Sequence, residues 1–374
     1  MSAPSSHGES EALHARARAM VRAFERGVAM PESFDALAID LARFQAKTIP
    51  GYARLCAARS VDPARFVCAG DAPAVPTDAF KLAHVFAFEG ADAAVTFRTS
   101  GTTLGARGAH LMRDVGTYDA ASLAFGRVML TRGLAAPVPV VVIGPSAEEA
   151  PDSSLAHMCT RFARALAPDS PPRTTYFVHG GTLDVGGLRA RVKALAPATP
   201  AVVLATSFAL VHLLDALRGD VLAMPAGSRV MQTGGFKGKS REVAADQLRH
   251  DVALAFGVPE RAVVGEYGMT ELSSQFWEAT LVDAGARHGV YRSPPWARVV
   301  AVDPETLEPA PDGNVGIARI EDLANVDSAF AVITQDRVRS VEGGFELVGR
   351  ASGAPPRGCS IALDEMLSSA KGRS

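Results

Sequence analysis

Between about residues 138 and 265, short β-branched runs alternate with longer amphipathic stretches, and that alternation restricts the chain to a layered α/β sheet. Strands are predicted at Val138–Ile143, Thr174–Val178, Ala201–Ala205, Arg229–Gln232 and Arg261–Gly265, with helices at Ser154–Leu166, Gly187–Leu195, Phe208–Leu217 and Ser240–Phe256. On the N-terminal side, apolar residues such as Leu13, Ala17, Met20 and Phe24 recur at helical spacing as far as about Arg59, with a break near Ile49-Pro50-Gly51. Past about Gly289 the runs are all strand-like: Val290–Arg292, Arg298–Val302, Val315–Ile320, Ala331–Ile333 and Phe345–Val348. The expected organisation is a helical segment over 1–60, an α/β body over 61–288, a small β subdomain over 289–350, and a mobile Gly/Ser/Pro-rich tail over 351–374.

A chain of 374 residues can bury a sizeable core. Its 38 Lys and Arg nearly balance its 40 Asp and Glu, so net charge points neither to nucleic acid nor to an anionic membrane. The four cysteines, Cys56, Cys68, Cys159 and Cys359, show no CxxC spacing, which disfavours a zinc site or a disulfide framework and suits a reducing cytoplasm. Residues Met1–Ser10 lack the pattern of a signal peptide, and no apolar run approaches the roughly 18 residues of a membrane span.

Candidate chemistry lies in loops that follow strands. After the strand-like Ala94–Phe97 comes Thr99-Ser100-Gly101-Thr102-Thr103, hydroxyls around one glycine that offer O–H and close backbone N–H groups to phosphate oxygens; an ordinary turn is the plain alternative. After Arg261–Gly265 comes Tyr267-Gly268-Met269-Thr270-Glu271, which ends in a hydroxyl and a carboxylate fit for an α-phosphate and Mg²⁺; a helix start is its plain alternative. The segment Thr233-Gly234-Gly235-Phe236-Lys237-Gly238-Lys239-Ser240 approximates a Walker A loop, but its glycine spacing fails. Gly234 and Gly235 read as a tight strand-to-helix turn or, through the resemblance given next, as nucleotide contacts. HExxH, GxSxG and GxGxxG patterns are missing, and His179, at a strand end, reads as a structural or pocket-wall residue.

The two hydroxyl-bearing motifs resemble the TSGTTGxPKG and YGxTE patterns of the adenylate-forming superfamily of acyl-CoA ligases, adenylation domains and luciferases. Leu104, Ala106 and Arg107 depart from the first pattern, although Arg107 keeps a positive charge. The resemblance implies the fold of that superfamily's N-terminal domain, with layered α/β sheets and a small C-terminal β subdomain. It also implies ATP and Mg²⁺ as cofactors. Thr99, Ser100, Gly101, Thr102, Thr103 and Arg107 would hold the β- and γ-phosphates, Tyr267 would pack on adenine, Thr270 would touch the α-phosphate and Glu271 the metal. Asp336 would bind the ribose hydroxyls, and Arg350, in the Gly349-Arg350 pair, would mark the hinge. Superfamily members normally continue into a further domain carrying a catalytic lysine; none is expected here, which leaves Arg107, Lys237 or Lys239, or a partner protein, to supply that charge.

The TGGFKGK segment, YGMTEL and the tail Pro356-Arg357-Gly358-Cys359 together resemble the bacterial acyl-protein synthetases of luminescence systems, also called long-chain-fatty-acid protein ligases, from about Ile49 through Leu363. That resemblance implies activation of a fatty acid or related carboxylic acid to acyl-AMP, transfer to Cys359 as a thioester, and delivery to an acyl reductase partner. Cations near Cys359, such as Arg350 or Arg357, would raise its thiolate fraction; a buried structural cysteine is the plain alternative. Two other readings stay open: an acyl- or aryl-CoA ligase of the phenylacetate type, and a non-catalytic nucleotide-binding subunit of a synthetase–reductase assembly.

Overall fold

The computed structural model describes residues 6–99, 107–234, 244–350 and 356–367. In chain order its helices are α1 (Ser6–Glu25), α2 (Phe34–Thr48), α3 (Pro50–Ala58), α4 (Ala79–Leu82), α5 (Gly116–Gly126), α6 (Ser154–Leu166), α7 (Val185–Lys193), α8 (Ser207–Leu217), α9 (Ala245–Phe256) and α10 (Arg357–Leu367). The strands are β1 (Val75–Pro76), β2 (Val95–Arg98), β3 (Ala109–Met112), β4 (Val140–Ile143), β5 (Val178–His179), β6 (Thr182–Leu183), β7 (Val202–Thr206), β8 (Arg229–Thr233), β9 (Val263–Tyr267), β10 (Phe276–Glu278), β11 (Val290–Arg292), β12 (Ala297–Val302), β13 (Val315–Asp322), β14 (Ala331–Val341) and β15 (Gly344–Arg350). No described helix is long and apolar enough to cross a membrane. The chain divides into two compact units: 1–124, 269–275 and 293–374 form the first, and 125–268 with 276–292 form the second. These boundaries differ from the four consecutive segments expected from the sequence, because the chain leaves the first unit and returns to it twice.

The second unit holds the predicted alternation. Strands β4, β7, β8 and β9 run parallel in that order, and β10 then β11 extend the sheet antiparallel. One face, carrying Val141, Ile143, Val203 and Val263, packs on Leu188 of α7, Leu210 and Leu213 of α8, and Leu248, Val252 and Phe256 of α9. Val140 and Val142 alternate to the opposite face, and α6, outside that cluster, contacts β4. Helix starts follow their caps: Ser153 accepts the N–H of Ala156, and Thr206 accepts that of Ala209. Helix α9 ends on Gly257 at φ +64, a left-handed position that glycine takes without penalty. Of the strand expected at Thr174–Val178, Thr174 ends a 3₁₀ turn over Pro172–Thr174, Tyr176 makes an isolated parallel bridge to Val142 of β4, and Val178 begins β5.

In the first unit, β12, β13, β14 and β15 form an antiparallel meander, and β1 adds to β14 in parallel through Val75↔Val332 and Pro76↔Ile333. Strand β14 is far longer than the apolar run Ala331–Ile333, because its outer half alternates polar residues that periodicity alone does not mark. The hairpin β2–β3 pairs Arg98 with Ala109. Helices α1 to α3 pack in sequence, and α10 docks on α3. The segment expected as a tail thus contains a helix: Arg54 donates to the carbonyl of Met366 at 2.7 Å, and Arg59 pairs with Glu365 at 3.0 Å.

Strand β9 depends on a missing side chain. The Gly265 N–H donates to Glu278 at 2.7 Å, and a Cβ at this position would lie 2.8 Å from the Glu278 carboxyl carbon and 3.0 Å from the Tyr291 hydroxyl. Glu278 has no exposure and is gripped at both oxygens by Arg249, at 2.7 and 2.8 Å. Burial opposes its charge, but the bonds from His288 and Arg249 hold the carboxyl down at about 2. Gly265→Ala is expected to cost about 1–3 kcal/mol by overpacking against this fixed pair. Urea denaturation checks this; a midpoint equal to wild type would contradict it.

Candidate active site

Of the phosphate-loop residues, Ser100, Gly101, Thr102 and Thr103 lie outside the described residues, as do Gly235, Lys237 and Lys239. The first unit holds Thr99, Arg107, Thr270, Glu271, Asp336, Arg350 and Cys359, and the second holds Gly234 and Tyr267.

The base of the β2–β3 hairpin closes on Thr99, which donates its N–H to the Gly108 carbonyl and accepts the Gly108 N–H on Oγ1, both at 2.9 Å. Arg107 directs Nε to the Thr99 carbonyl at 2.7 Å and Nη2 to that of Arg98 at 3.3 Å, so its guanidinium braces the hairpin backbone.

Thr270 and Glu271 lie in a turn, not at a helix start, and the buried polar groups around that turn come from distant parts of the chain. His110 on β3 bonds the Thr270 carbonyl through Nδ1 at 2.8 Å, and Asn325 donates Nδ2 to the Glu271 carbonyl at 2.9 Å. Asp322 accepts the N–H groups of Ser273 and Ser274 at 2.9 and 2.8 Å and the Ser274 hydroxyl at 2.6 Å. Burial nonetheless pushes its carboxyl upward. Gln45 of α2 in turn bonds the carbonyls of Asn325, Val326 and Ser328. Sequence reasoning passed over all four residues. A histidine in the strand after the hydroxyl loop was the available signal for His110; Asn325 and Gln45 carry none, since they act only on backbone groups remote in sequence.

Asp336 and Arg350 are direct partners across β14 and β15, with Arg350 Nε 3.9 Å from the carboxylate. Gly349, at φ +133, turns the strand just before Arg350.

In the second unit, Gly234 and Tyr267 end neighbouring strands. The residues just before them, Thr233 and Glu266, are register partners and share a buried hydrogen bond. Burial raises the Glu266 carboxyl to about 7, with the Thr233 bond opposing. Gly234 takes φ +74, a left-handed value that glycine adopts readily, and the Ser207 hydroxyl donates to its carbonyl at 2.6 Å. Tyr267 is buried, with ring centroids of Phe276 and Tyr291 at 5.9 and 6.1 Å. His179 is exposed, with Nδ1 3.3 Å from the Glu149 carboxylate.

Cys359 lies in the first turn of α10 and is only 5% exposed. Burial raises its thiol to about 11; Asp78 pushes in the same direction and Arg59 opposes. The expected activation by Arg350 or Arg357 is therefore corrected. The cation that the thiol senses is Arg59 of the helix on which α10 docks, and desolvation outweighs it.

No group of three or more metal-ligating side chains occurs among the described residues. Mg²⁺ characteristically takes one or two carboxylates and completes its shell with substrate phosphates and water, so Glu271, with its backbone fixed, fits that ion without a protein cage.

His110 gives the Thr270 turn a measurable signature. Its imidazole is 2% exposed, and burial lowers it to about 4, against the bond to Thr270. The folded value lies below the unfolded one of about 6.5, so its contribution to stability is complete above 6.5 and is lost as pH falls towards 4, up to roughly 3 kcal/mol. His110→Gln keeps a donor for Thr270 and is expected to flatten the pH dependence of urea stability across this window; an unchanged slope would refute the assignment.

The profile of the family described as Acyl-protein synthetase, LuxE matches residues 32–368. No curated protein matches the chain. Among solved structures, ATP-bound MatB from Rhodopseudomonas palustris is similar at TM-score 0.50 and 16% identity, over 70% of this chain and 49% of that one. A 2-hydroxyisobutyryl-CoA ligase in the postadenylation state with R3-HIB-AMP gives TM-score 0.60 and 15% identity, over 84% of this chain and 67% of that one. The same ligase with 2-HIB-AMP and CoA in the thioesterification state gives 0.58 and 15%, over 95% and 68%. The fold is thus that of adenylate-forming ligases, and the chain spans about half the length of MatB.

Proposed function

We propose, from the premise that this chain belongs to the acyl-protein synthetase, LuxE, family, that it is a ligase that uses Mg·ATP to activate a carboxylic acid, a long-chain fatty acid by preference, and transfers the acyl group to Cys359. The observation that carries the reading is that the family match spans residues 32–368, the stretch of chain in which the hydroxyl loop, the YGMTE motif, Asp336, Arg350 and Cys359 all lie.

In the first step a carboxylate oxygen of the acid attacks the α-phosphorus of ATP, and the bond to the β-phosphate oxygen breaks to release pyrophosphate. A displacement of this kind needs positioning and charge neutralisation and no protein nucleophile. Thr99, with Ser100, Thr102 and Thr103, would bind the outer phosphates, and Thr270 would orient the α-phosphate. Glu271 would hold Mg²⁺, which supplies charge neutralisation when bound. Asp336 would take the ribose hydroxyls, and Gly234 and Tyr267 the base. The support for Thr270 and Glu271 is that His110 and Asn325 fix their backbone.

In the second step Cys359 Sγ, as thiolate, attacks the acyl carbonyl, and AMP leaves through its phosphate oxygen. A thiol near 11 is almost entirely protonated at neutral pH, so this step requires α10 to leave its seat. The acyl group then passes to an acyl reductase in a cytoplasmic complex.

One observation favours the second reading, a CoA ligase: the docked thiol is buried, and the similar 2-hydroxyisobutyryl-CoA ligase is described with CoA. Intact mass after incubation with Mg·ATP and a panel of acids separates the two. The synthetase predicts an ATP-dependent gain of one acyl group that disappears in Cys359→Ser; pyrophosphate release stimulated by CoA with no mass gain moves the assignment to the CoA ligase.

The docked state has its own test. Without ligands, iodoacetamide should modify Cys359 more slowly than the half-exposed Cys68, and Mg·ATP with an acid substrate should speed the reaction at Cys359. Equal rates at the two thiols would contradict the sequestered thiol.

A further inference from the structure

Lys81 lies on α4, outside every sequence motif, yet its side chain runs along the base of the β2–β3 hairpin. A methyl group placed on Gly108 would meet Lys81 Cγ at 3.4 Å and Thr99 Cγ2 at 3.1 Å, so the lysine stem and Thr99 both lie against a backbone that has no side chain at this point. The Lys81 side chain is 11% exposed, a degree of burial that lysine rarely accepts without a partner. Its partner is Asp78, at 2.6 Å from Nζ, which leaves two of its three ammonium donors unused by any hydrogen bond among the described residues.

Asp78 is itself fixed. Its second oxygen accepts Gln335 Nε2 at 3.0 Å, and Gln335 precedes Asp336 on β14. The segment leading to Asp78 is pinned to the same strand, through the pairing of β1 with β14 and the Thr77 N–H bonded to the Ile333 carbonyl at 3.0 Å. One hydrogen-bonded chain, Lys81–Asp78–Gln335, therefore joins the start of the hydroxyl loop to the residue before Asp336. Arg107, the cation that the sequence offered here, directs Nε and Nη2 at backbone carbonyls.

We propose that Lys81 is a further phosphate-contacting residue of the adenylation step, its stem lying beside Thr99 and its ammonium held by Asp78, which Gln335 fixes in turn, to bind the nucleotide's phosphate oxygens. This rests on the adenylation reading above. A compact ammonium with spare donors suits phosphate as a point charge, and Gly108 provides the close approach that lets the lysine stem pass the hairpin.

ATP–pyrophosphate exchange with the full chain tests this, comparing wild type with Lys81→Met, Lys81→Arg and Asp78→Asn while ATP and the acid are varied separately and thermal midpoints are recorded. Lys81→Met should lower kcat/KM for ATP about 10- to 100-fold, as expected for loss of a charged hydrogen bond, with KM for the acid and the midpoint little changed. Lys81→Arg should recover part of the loss, and Asp78→Asn should raise KM for ATP. A purely structural lysine would instead lower the midpoint and affect both substrates alike, which overturns the proposal, as does exchange in Lys81→Met equal to wild type. If Lys81→Met fails to fold, the other two variants decide, and wild-type KM for ATP in both overturns the assignment. Absence of exchange in wild-type protein with every acid overturns the adenylation reading, and the role of Lys81 falls with it.

Discussion

A carboxylate without solvent exposure organises the first unit. Asp322 ends β13 and takes two backbone N–H groups and a hydroxyl from Ser273 and Ser274, plus the N–H of Ala324 at 3.0 Å. Trp296 adds its indole N–H to the same serine hydroxyl at 3.1 Å. A buried carboxylate is tolerated when its lone pairs are met by donors, and three of these four donors come from the short segment that carries Thr270 and Glu271. The geometry of that segment is therefore set by buried polar groups from other parts of the first unit. His110, Asn325 and Gln45 extend the same logic, since each satisfies a backbone carbonyl that an irregular loop would otherwise bury unpaired.

The legibility of the chain followed the range of each interaction. Helix α6 agrees with its predicted bounds because cap, amphipathic period and length are local properties of Ser153–Leu166. The parallel strands were visible as apolar runs for the same reason. The long outer half of β14 and the β10 strand were not, since β10 is short and buried among partners that only the fold supplies. The motif at Tyr267–Glu271 was likewise visible in the sequence, whereas the residues that hold its backbone were not, because a Gln that bonds a carbonyl 280 residues away, or an Asn that bonds one 54 away, looks like any other polar residue. The environment of Cys359 was misjudged on similar grounds: neighbours in sequence suggested cations, and neighbours in space supplied desolvation.

On the proposed reading, with Cys359 as the acyl acceptor, burial of the thiol reconciles two needs of an acyl carrier. A cysteine exposed at all times reacts with any electrophile, whereas one seated against α3 reacts only when its helix is released. The seat comprises the bond from Arg54 to the Met366 carbonyl, the ion pair of Arg59 with Glu365, a bond from the Gly358 N–H to the Pro304 carbonyl at 3.1 Å, and the burial of Cys359, Ala362 and Met366 against α3, α4 and β1.

The pairing of β1 with β14 bears on how the protein is made. Val75 meets Val332, so a strand synthesised early waits for a partner that leaves the ribosome only after the whole second unit. At roughly 5–20 residues per second that interval is on the order of ten seconds or more, during which α1 to α3 carry apolar faces with no sheet to cover them. The second unit, nearly continuous in sequence and rich in neighbouring strand contacts, can close first. The β1–β14 pairing can therefore form only after the second unit has been synthesised.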